Sequence, residues 1–410
     1  MKTEKPNGKK VLVVAYNYIL NDPPERQAAE SLAKAGYETA VLQSPPQRVF
    51  PSQPPPGVRV VEYDCPTQWG GFSSLLRFLN FRKSLLDEIR SFDPDVVVTF
   101  MLHSLAALPQ KGRRFKNVAC IYDLPSLVEN GRLDRWIFKV AWKHLKGAEV
   151  VWGSDRLKAG WAQRLAGLGQ MPVVCHNCPP LSYMKDPLWP RDPWLRKELI
   201  QQGASLPARS GGNILLRAGG VGEYGGLEET LEAMTRLPKD YVYLMLGRPQ
   251  ADYLKKLKDL IQRMNLGKRA FVWDKASDEV WKKALRGADI GQMIHLPPVD
   301  KSAKEIYELN SGLSYNRTYL YMAAALPVIS LEDPRLSPLY REVGNFRPAR
   351  LGHLAKDIEK IWGELGRSKA LRKKMGLKGR QAHLKKYSWE KQFGPLLQTI
   401  KSWDKSGKRP

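Results

Sequence analysis

Up to about residue 178 the chain alternates between two apolar patterns. Short unbroken runs come first: "KKVLVVAY" (9–16), "YETAVLQS", "GVRVVEY", "DVVVTF", "NVACIYD", "EVVWGS" and "PVVCHN". Runs of this length, rich in β-branched residues and bounded by polar sequence, predict strands buried on both faces. Between them lie segments with helical period. In "PPERQAAESLAKAG", Ala28, Leu32 and Ala35 share a face, Pro24 suits a first turn and Gly36 stops the helix. "SLLRFLNFRKSLLDEIRSF", "RWIFKVAWKHLKGA" and "RLKAGWAQRLAGLG" read the same way. Strands alternating with helices predict a doubly wound parallel sheet.

Residues 179–212 change character. "PPL", "DPLWPRDPW" and "SLPARSGG" are rich in proline and glycine, as an interdomain linker would be. Alternation then restarts with "NILLRAGG", "LEETLEAMTRL", "YVYLMLG", "DYLKKLKDLIQRMNLG", "RAFVWD", "EVWKKALRGA" and "DIGQMIH". The expected organisation is α/β, with two Rossmann-like doubly wound domains facing a cleft. The boundaries are 1–180, a linker over 181–212, 213–387, and a closing helix with a basic tail over 388–410.

Composition narrows the class. A chain of 410 residues is too long for one ordinary core, and 43% hydrophobic content with twelve tryptophans and sixteen tyrosines marks a folded protein. No apolar run reaches the roughly 18 residues of a membrane-spanning helix, and "VLVVAY" is too short for a signal core, so residence in the cytoplasm is expected. Four cysteines are too few for a disulfide framework, and "CHNC" (175–178) has no partner pair for zinc or redox work. The net charge of +25 favours anionic partners such as nucleotide phosphates, acidic lipid headgroups or nucleic acid.

The motifs carry more. "DPPER" follows the first strand, "YDLP" the fifth, and "HNCPP" precedes the linker; then come "GGVGEYGGLEETLEAM", "LMLG", "GADIGQMI", "SYNRTYLYMAAALPVI" (314–329) and "YSWEKQF". In this order and spacing the chain resembles the GT-B glycosyltransferases, and among them the retaining family-4 enzymes, along nearly its whole length. The resemblance implies a GT-B fold whose C-terminal helix crosses back to the N-terminal domain. It implies a nucleotide-sugar donor, UDP- or GDP-linked, in the C-terminal domain and an acceptor in the N-terminal domain. Sugar transfer would retain configuration without metal or other cofactor, because basic side chains and a helix N-terminus hold the diphosphate.

Residue by residue, the resemblance places donor binding on Gly219, Gly220, Gly222, Gly312, Leu313, Ser314, Asn316, Arg317 and Leu320. His103, after the fourth strand, and Asp123 of "YDLP" are the candidate catalytic residues. The sequence also departs from the family pattern. The glutamate that grips the ribose hydroxyls falls on Leu320, its acidic companion on Gly312 and the helix-end glycine on Ala325. The phosphate-gripping basic pair falls near Val221 and on Gly225, and a frequent histidine falls on Pro125. Arg217, Arg248, Lys301 and Lys304 are near the expected cleft in sequence, each with a solvated surface charge as the plainer reading. His295, like His103, follows a strand at a domain edge. Glu305 and Glu308 are candidate replacement carboxylates on what reads equally well as an exposed helix turn.

Two functions follow. One is a glycosyltransferase with an altered donor grip, acting on a glycan or lipid-linked acceptor. The other is a non-catalytic GT-B-like scaffold. "SLLRFLNFRKSLL" and "DRWIFKVAWKHLK" mix Trp, Phe and Leu with Arg and Lys, which suits an acidic membrane surface unless the apolar side faces the core. No reading motif for nucleic acid is present, and no such partner is expected.

Overall fold

The structure is a computed structural model that describes residues 8–18, 23–45, 53–64, 72–110, 112–121, 132–186, 188–207, 213–274, 276–298 and 316–405. The chain divides into two compact units. One is built from residues up to Asn177 and from Trp389 onward, the other from described residues between Cys178 and Ser388.

The first unit is a seven-stranded parallel sheet: β1 (Lys10–Ala15), β2 (Glu38–Gln43), β3 (Val58–Glu62), β4 (Val96–Phe100), β5 (Lys116–Ile121), β6 (Val150–Gly153) and β7 (Val173–Val174), in the order β3-β2-β1-β4-β5-β6-β7. The runs of β1, β2, β4 and β5 are central strands, and β4 is buried at all five positions, but "GVRVVEY" and "PVVCHN" form the edge strands β3 and β7, which are only partly buried because each has a neighbour on one side. Helices α1 (Pro23–Lys34), α2 (Phe72–Phe92), α3 (Met101–Ala107), α4 (Arg132–Leu145) and α5 (Arg156–Ala166) connect them. In α2 the apolar side does face the core through Phe78, Phe81 and Leu85. The separate helix α3 is absent from the sequence reading, because "MLHSLAA" continues the apolar run of β4 without a turn residue.

The second unit holds a six-stranded parallel sheet: β8 (Asn213–Ala218), β9 (Tyr241–Leu246), β10 (Ala270–Trp273), β11 (Ile290–Met293), β12 (Val328–Leu331) and β13 (Phe346–Ala349), in the order β10-β9-β8-β11-β12-β13. Its helices are α6 (Trp194–Gln201), α7 (Leu227–Arg236), α8 (Ala251–Arg263), α9 (Asp278–Gly287), α10 (Asn316–Ala323), α11 (Ser337–Val343), α12 (Leu354–Arg367) and α13 (Lys369–Lys385). Helix α6 lies inside the stretch read as a linker. Its Leu195 and Leu199 are fully buried, and Gly287 of α9 is small because the Leu195 side chain packs on it. Proline-rich flanks hid this two-turn helix.

The last helix, α14 (Trp389–Lys405), belongs to the first unit, as the GT-B resemblance implies. Trp389 and Phe393 stack at 4.9 Å, and both meet Trp152 of β6 edge-on, at 6.4 and 5.5 Å. Among the described residues no helix is long and apolar enough to cross a membrane.

Candidate functional site

Both sheets reverse strand order once: between β1 and β4 in the first unit, and between β8 and β11 in the second. At such a switch point the loops leaving the carboxyl ends of the two strands diverge, which opens a crevice for a ligand.

In the second unit, β8 ends at Ala218 and runs into Gly219–Gly226. Gly219 has φ 142°, and a Cβ placed on it would lie 2.8 Å from Cζ of Arg317, so the Arg317 guanidinium rests on the glycine backbone. Arg317 stands in the first turn of α10, where the backbone dipole adds to its positive charge. The N–H groups of Gly219, Val221 and Gly225 donate to Leu246 O (2.8 Å), Arg248 O (3.1 Å) and Gly222 O (2.9 Å). Among the described residues those of Gly220 and Gly222 make no such bond. Such amides beside a guanidinium form an anion-binding surface.

Buried side chains support the turn from beneath. Arg217, 3% exposed, donates from Nε to Gly220 O (3.3 Å) and from Nη1 to Gly225 O and Ile294 O (both 2.9 Å). It is therefore no solvated surface charge. Burial, with Arg317 nearby, lowers its pKa to about 10, which leaves it charged at neutral pH. Tyr321 of α10 is also fully buried: its hydroxyl accepts from Ala218 N (2.9 Å) and reaches Leu216 O (3.1 Å) and Gln292 O (3.0 Å), tying α10 to β8 and β11. Gln292 donates to Thr230 (2.6 Å), and Thr230 to Gly226 O (2.6 Å).

His295 follows β11 at this switch point, not at a domain edge. Burial, then Arg317, Arg217 and Arg335, push its pKa down to about 3, so it is a neutral imidazole there. Tyr224, 44% exposed, tilts toward it at 6.2 Å. Leu320 is 7% exposed and Tyr319, Tyr321, Met322 and Ala325 are fully buried, so the helix with the altered position is a packed one. Gly312, Leu313 and Ser314 lie outside the described residues, as do Lys301, Lys304, Glu305 and Glu308.

In the first unit the switch point is furnished differently. His103 of α3 stacks on Tyr16 at the end of β1, with centroids 4.6 Å apart and planes within 6°, and its Nε2 lies 3.3 Å from Oδ1 of Asp134. Tyr16 also carries Arg77 of α2, whose Cζ is 4.4 Å from the ring centroid. Arg77 is buried and also donates to Tyr16 O and Asn17 Oδ1, both at 3.1 Å. Met101, the first residue of α3, directly after β4, holds a left-handed backbone at φ 68°. A non-glycine residue held there marks local strain of the kind kept at functional sites. Asp123 and Pro125 lie outside the described residues. Sequence reasoning missed Tyr16 and Arg77; the signal was Arg77 at a stripe position of α2, one residue before Phe78 and four before Phe81.

Cys120, Cys175 and Cys178 are buried, and burial raises the Cys175 thiol to about 12, which keeps it a neutral thiol at neutral pH.

The fold can be compared with solved structures. Sucrose-phosphate synthase from Thermosynechococcus elongatus superposes with a TM-score of 0.71 at 17% identity, covering 97% of this chain and 100% of that one. A glycosyltransferase from Rickettsia africae gives 0.67 at 16% identity, over 98% and 99%. HepE from Anabaena, solved with UDP and glucose, gives 0.68 at 13% identity, over 96% and 100%. No family model matches the chain, and no curated protein matches it in sequence. Likeness at these identities defines a class by shape: the chain has the GT-B fold.

Proposed function

We propose that the protein is a glycosyltransferase. A UDP- or GDP-linked sugar binds at the Gly219–Gly226 turn of the second unit, and a glycan or lipid-linked acceptor binds at the first. The observation that carries this is the Arg317 guanidinium lying on Gly219 beside the unbonded amides of Gly220 and Gly222. As the bond from the sugar's anomeric carbon to the diphosphate breaks, negative charge gathers on the leaving phosphate. Fixed N–H donors and a guanidinium stabilise that charge without a metal ion. Transfer proceeds with retention, as in the family the sequence resembles, and no cofactor is needed. HepE was solved with UDP-glucose, and a UDP-sugar is the first donor to try.

Titration calorimetry with UDP and GDP tests this. Arg317→Ala should weaken binding by about 1.5–3 kcal/mol, roughly ten- to a hundred-fold, with the melting temperature unchanged. Wild-type protein that binds neither nucleotide would overturn the donor reading. The buried apolar Leu320 favours a second reading, a GT-B-shaped scaffold, for which that silence is the expected result.

The acceptor reading extends to a membrane surface on its cytoplasmic side. Leu76, Leu79 and Trp136 (40, 48 and 56% exposed) stand in helices that also expose Arg82, Lys83, Arg135 and Lys139. Between Arg367 and Arg409 the sequence holds fourteen Lys and Arg against Glu390 and Asp404, and of these Arg372 and Arg380 are buried and cannot take part. Salt-sensitive sedimentation with acidic vesicles, and none with neutral ones, is expected.

A further inference from the structure

We infer that Arg217 is the positioning residue of the anion site: it sets the direction of the glycine-turn amides instead of meeting the ligand. The inference rests on the donor reading above. Arg217 springs from the end of β8, beneath the turn, and its guanidinium joins three separate pieces of backbone: Gly220, Gly225 and Ile294. The first two bracket the turn and the third closes β11, across the switch point.

The peptide between Gly220 and Val221 is held from both ends. Its oxygen accepts from Arg217 Nε, and its N–H donates to Arg248 O. The next peptide is fixed too, because Val221 O accepts from Gln250 N at 3.1 Å. In a planar trans peptide the oxygen and the N–H point in opposite directions. Fixing Val221 O therefore aims the Gly222 N–H away from Gln250 N, and Gly219 O, the oxygen of the peptide that carries the Gly220 N–H, stands against Gly247, where a Cβ would lie 2.7 Å from the Gly219 carbonyl carbon. The two amides that have no backbone partner among the described residues belong to the segment that Arg217 and the end of β9 immobilise.

Gly225 is part of the same device. A Cβ at that position would lie 3.0 Å from Cζ of Arg217, so the residue is small because the guanidinium fills the space. The cost of making these amides donors is met in the folded protein, before any ligand arrives, which is what preorganisation requires.

The roles separate cleanly in a lysine variant. Arg217→Lys keeps the charge but lacks the planar fork that reaches three carbonyls at once. Pyrophosphate and UDP would be titrated into 15N-glycine-labelled wild-type, Arg217→Lys and Gly225→Ala proteins, with circular dichroism as the check of fold. In wild type, pyrophosphate should shift the Gly220 and Gly222 amide resonances. In Arg217→Lys those shifts should shrink and affinity fall ten-fold or more. Gly225→Ala, which displaces the guanidinium without removing it, should do the same, and it carries the test if Arg217→Lys does not fold. Wild-type affinity and wild-type glycine shifts in both variants would overturn the inference and leave the donor reading standing. A wild-type protein whose glycines ignore both ligands would instead overturn the donor reading itself, and this inference with it.

Discussion

The two units repeat one topology and furnish it in opposite ways. At the first switch point the chain places an aromatic–cationic stack, Arg77 on Tyr16 on His103, with Asp134 behind the imidazole. Tyr16 is buried among these groups, and no glycine stands between β1 and α1. At the second switch point it places bare backbone amides, two arginines and a neutral histidine. Strand order dictates that a crevice opens at each place; the residues just past the strand ends decide what each can hold. The second suits a compact polyanion. The first suits polar groups that meet His103 and Asp134, as sugar hydroxyls would.

The largest effect that separates the units concerns the chain's return. Phe393 is 2% exposed and packs against Trp152 and Trp389. Phe393→Ala should cost about 3–5 kcal/mol through lost burial and the cavity left behind. The loss should fall on the first unit: hydrogen exchange should quicken in β4–β6 and stay slow in β8–β12. Equal quickening in both sheets would show that the units unfold as one.

Acid should reverse the order. In the second unit His295 is held down at about 3 by burial and the surrounding arginines. His383 is held down at about 4 by burial, against a bond from its Nδ1 to Tyr387 O. Both folded values lie below the unfolded histidine value of about 6.5, so the unfolded chain takes protons first as pH falls. This stability is fully present above that value and is lost as pH falls through the window toward 3–4. Near pH 5 the unfolded chain binds about two more protons at these sites, a slope of roughly 2.5 kcal/mol per pH unit. In the first unit His144 is also lowered, by burial first, and among the described histidines with a resolved shift it is one group against two. The second unit should therefore open first between pH 6.5 and 4, read by proteolysis at each pH. Loss of the first unit ahead of it would sink this account.

The sheets were legible because strands buried on both faces must be apolar throughout, and that signal survives without relatives. The GT-B fold was read from a different signal, the order and spacing of motifs that resemble that family. The supports of the site were not legible. Arg217 is the one charge in the buried run "NILLRA", and from sequence it reads as a strand end turning to solvent; only the carbonyls gathered around it show otherwise. Short helices such as α6 hid among prolines. The glycines of the turn were readable as a turn, but not that Gly219 and Gly225 are small for two different arginines.

Leu320 sharpens what has changed at the second site: it stands where the resemblance expects a carboxylate. It lies three residues after Arg317, on a neighbouring helical position. Leu320→Glu should lower the melting temperature, and saturating UDP should restore it, with UDP binding tightened by about 1.5 kcal/mol if the new carboxylate meets the ribose. A melting temperature that falls and is not restored by nucleotide would mean that the apolar wall is closed, in favour of the scaffold reading.

The smallest effect is at the end of the same helix. Ala325 has φ 52°, a left-handed conformation in which a Cβ costs about 1 kcal/mol or slightly more. Two things hold it there. Arg191, half-buried, donates to Ala324 O at 2.7 Å and to Ala325 O, and Arg380, buried, donates to Ala323 O at 3.1 Å, so two guanidinium groups cap the last carbonyls of α10. Gly376 of α13 then lies so close that a Cβ on it would be 2.8 Å from the Ala325 carbonyl carbon. Ala325→Gly would relieve the strain, but it also removes a fully buried methyl worth about 0.8 kcal/mol and loosens the unfolded chain. These terms nearly cancel, so stability should change by less than about 0.5 kcal/mol and UDP affinity not at all. Gly376→Ala, by contrast, adds a methyl where backbone already stands and should destabilise by about 1–3 kcal/mol. If Ala325→Gly instead stabilises by more than about 1 kcal/mol, the strain outweighs the methyl, and the alanine is retained for something other than the packing of α10.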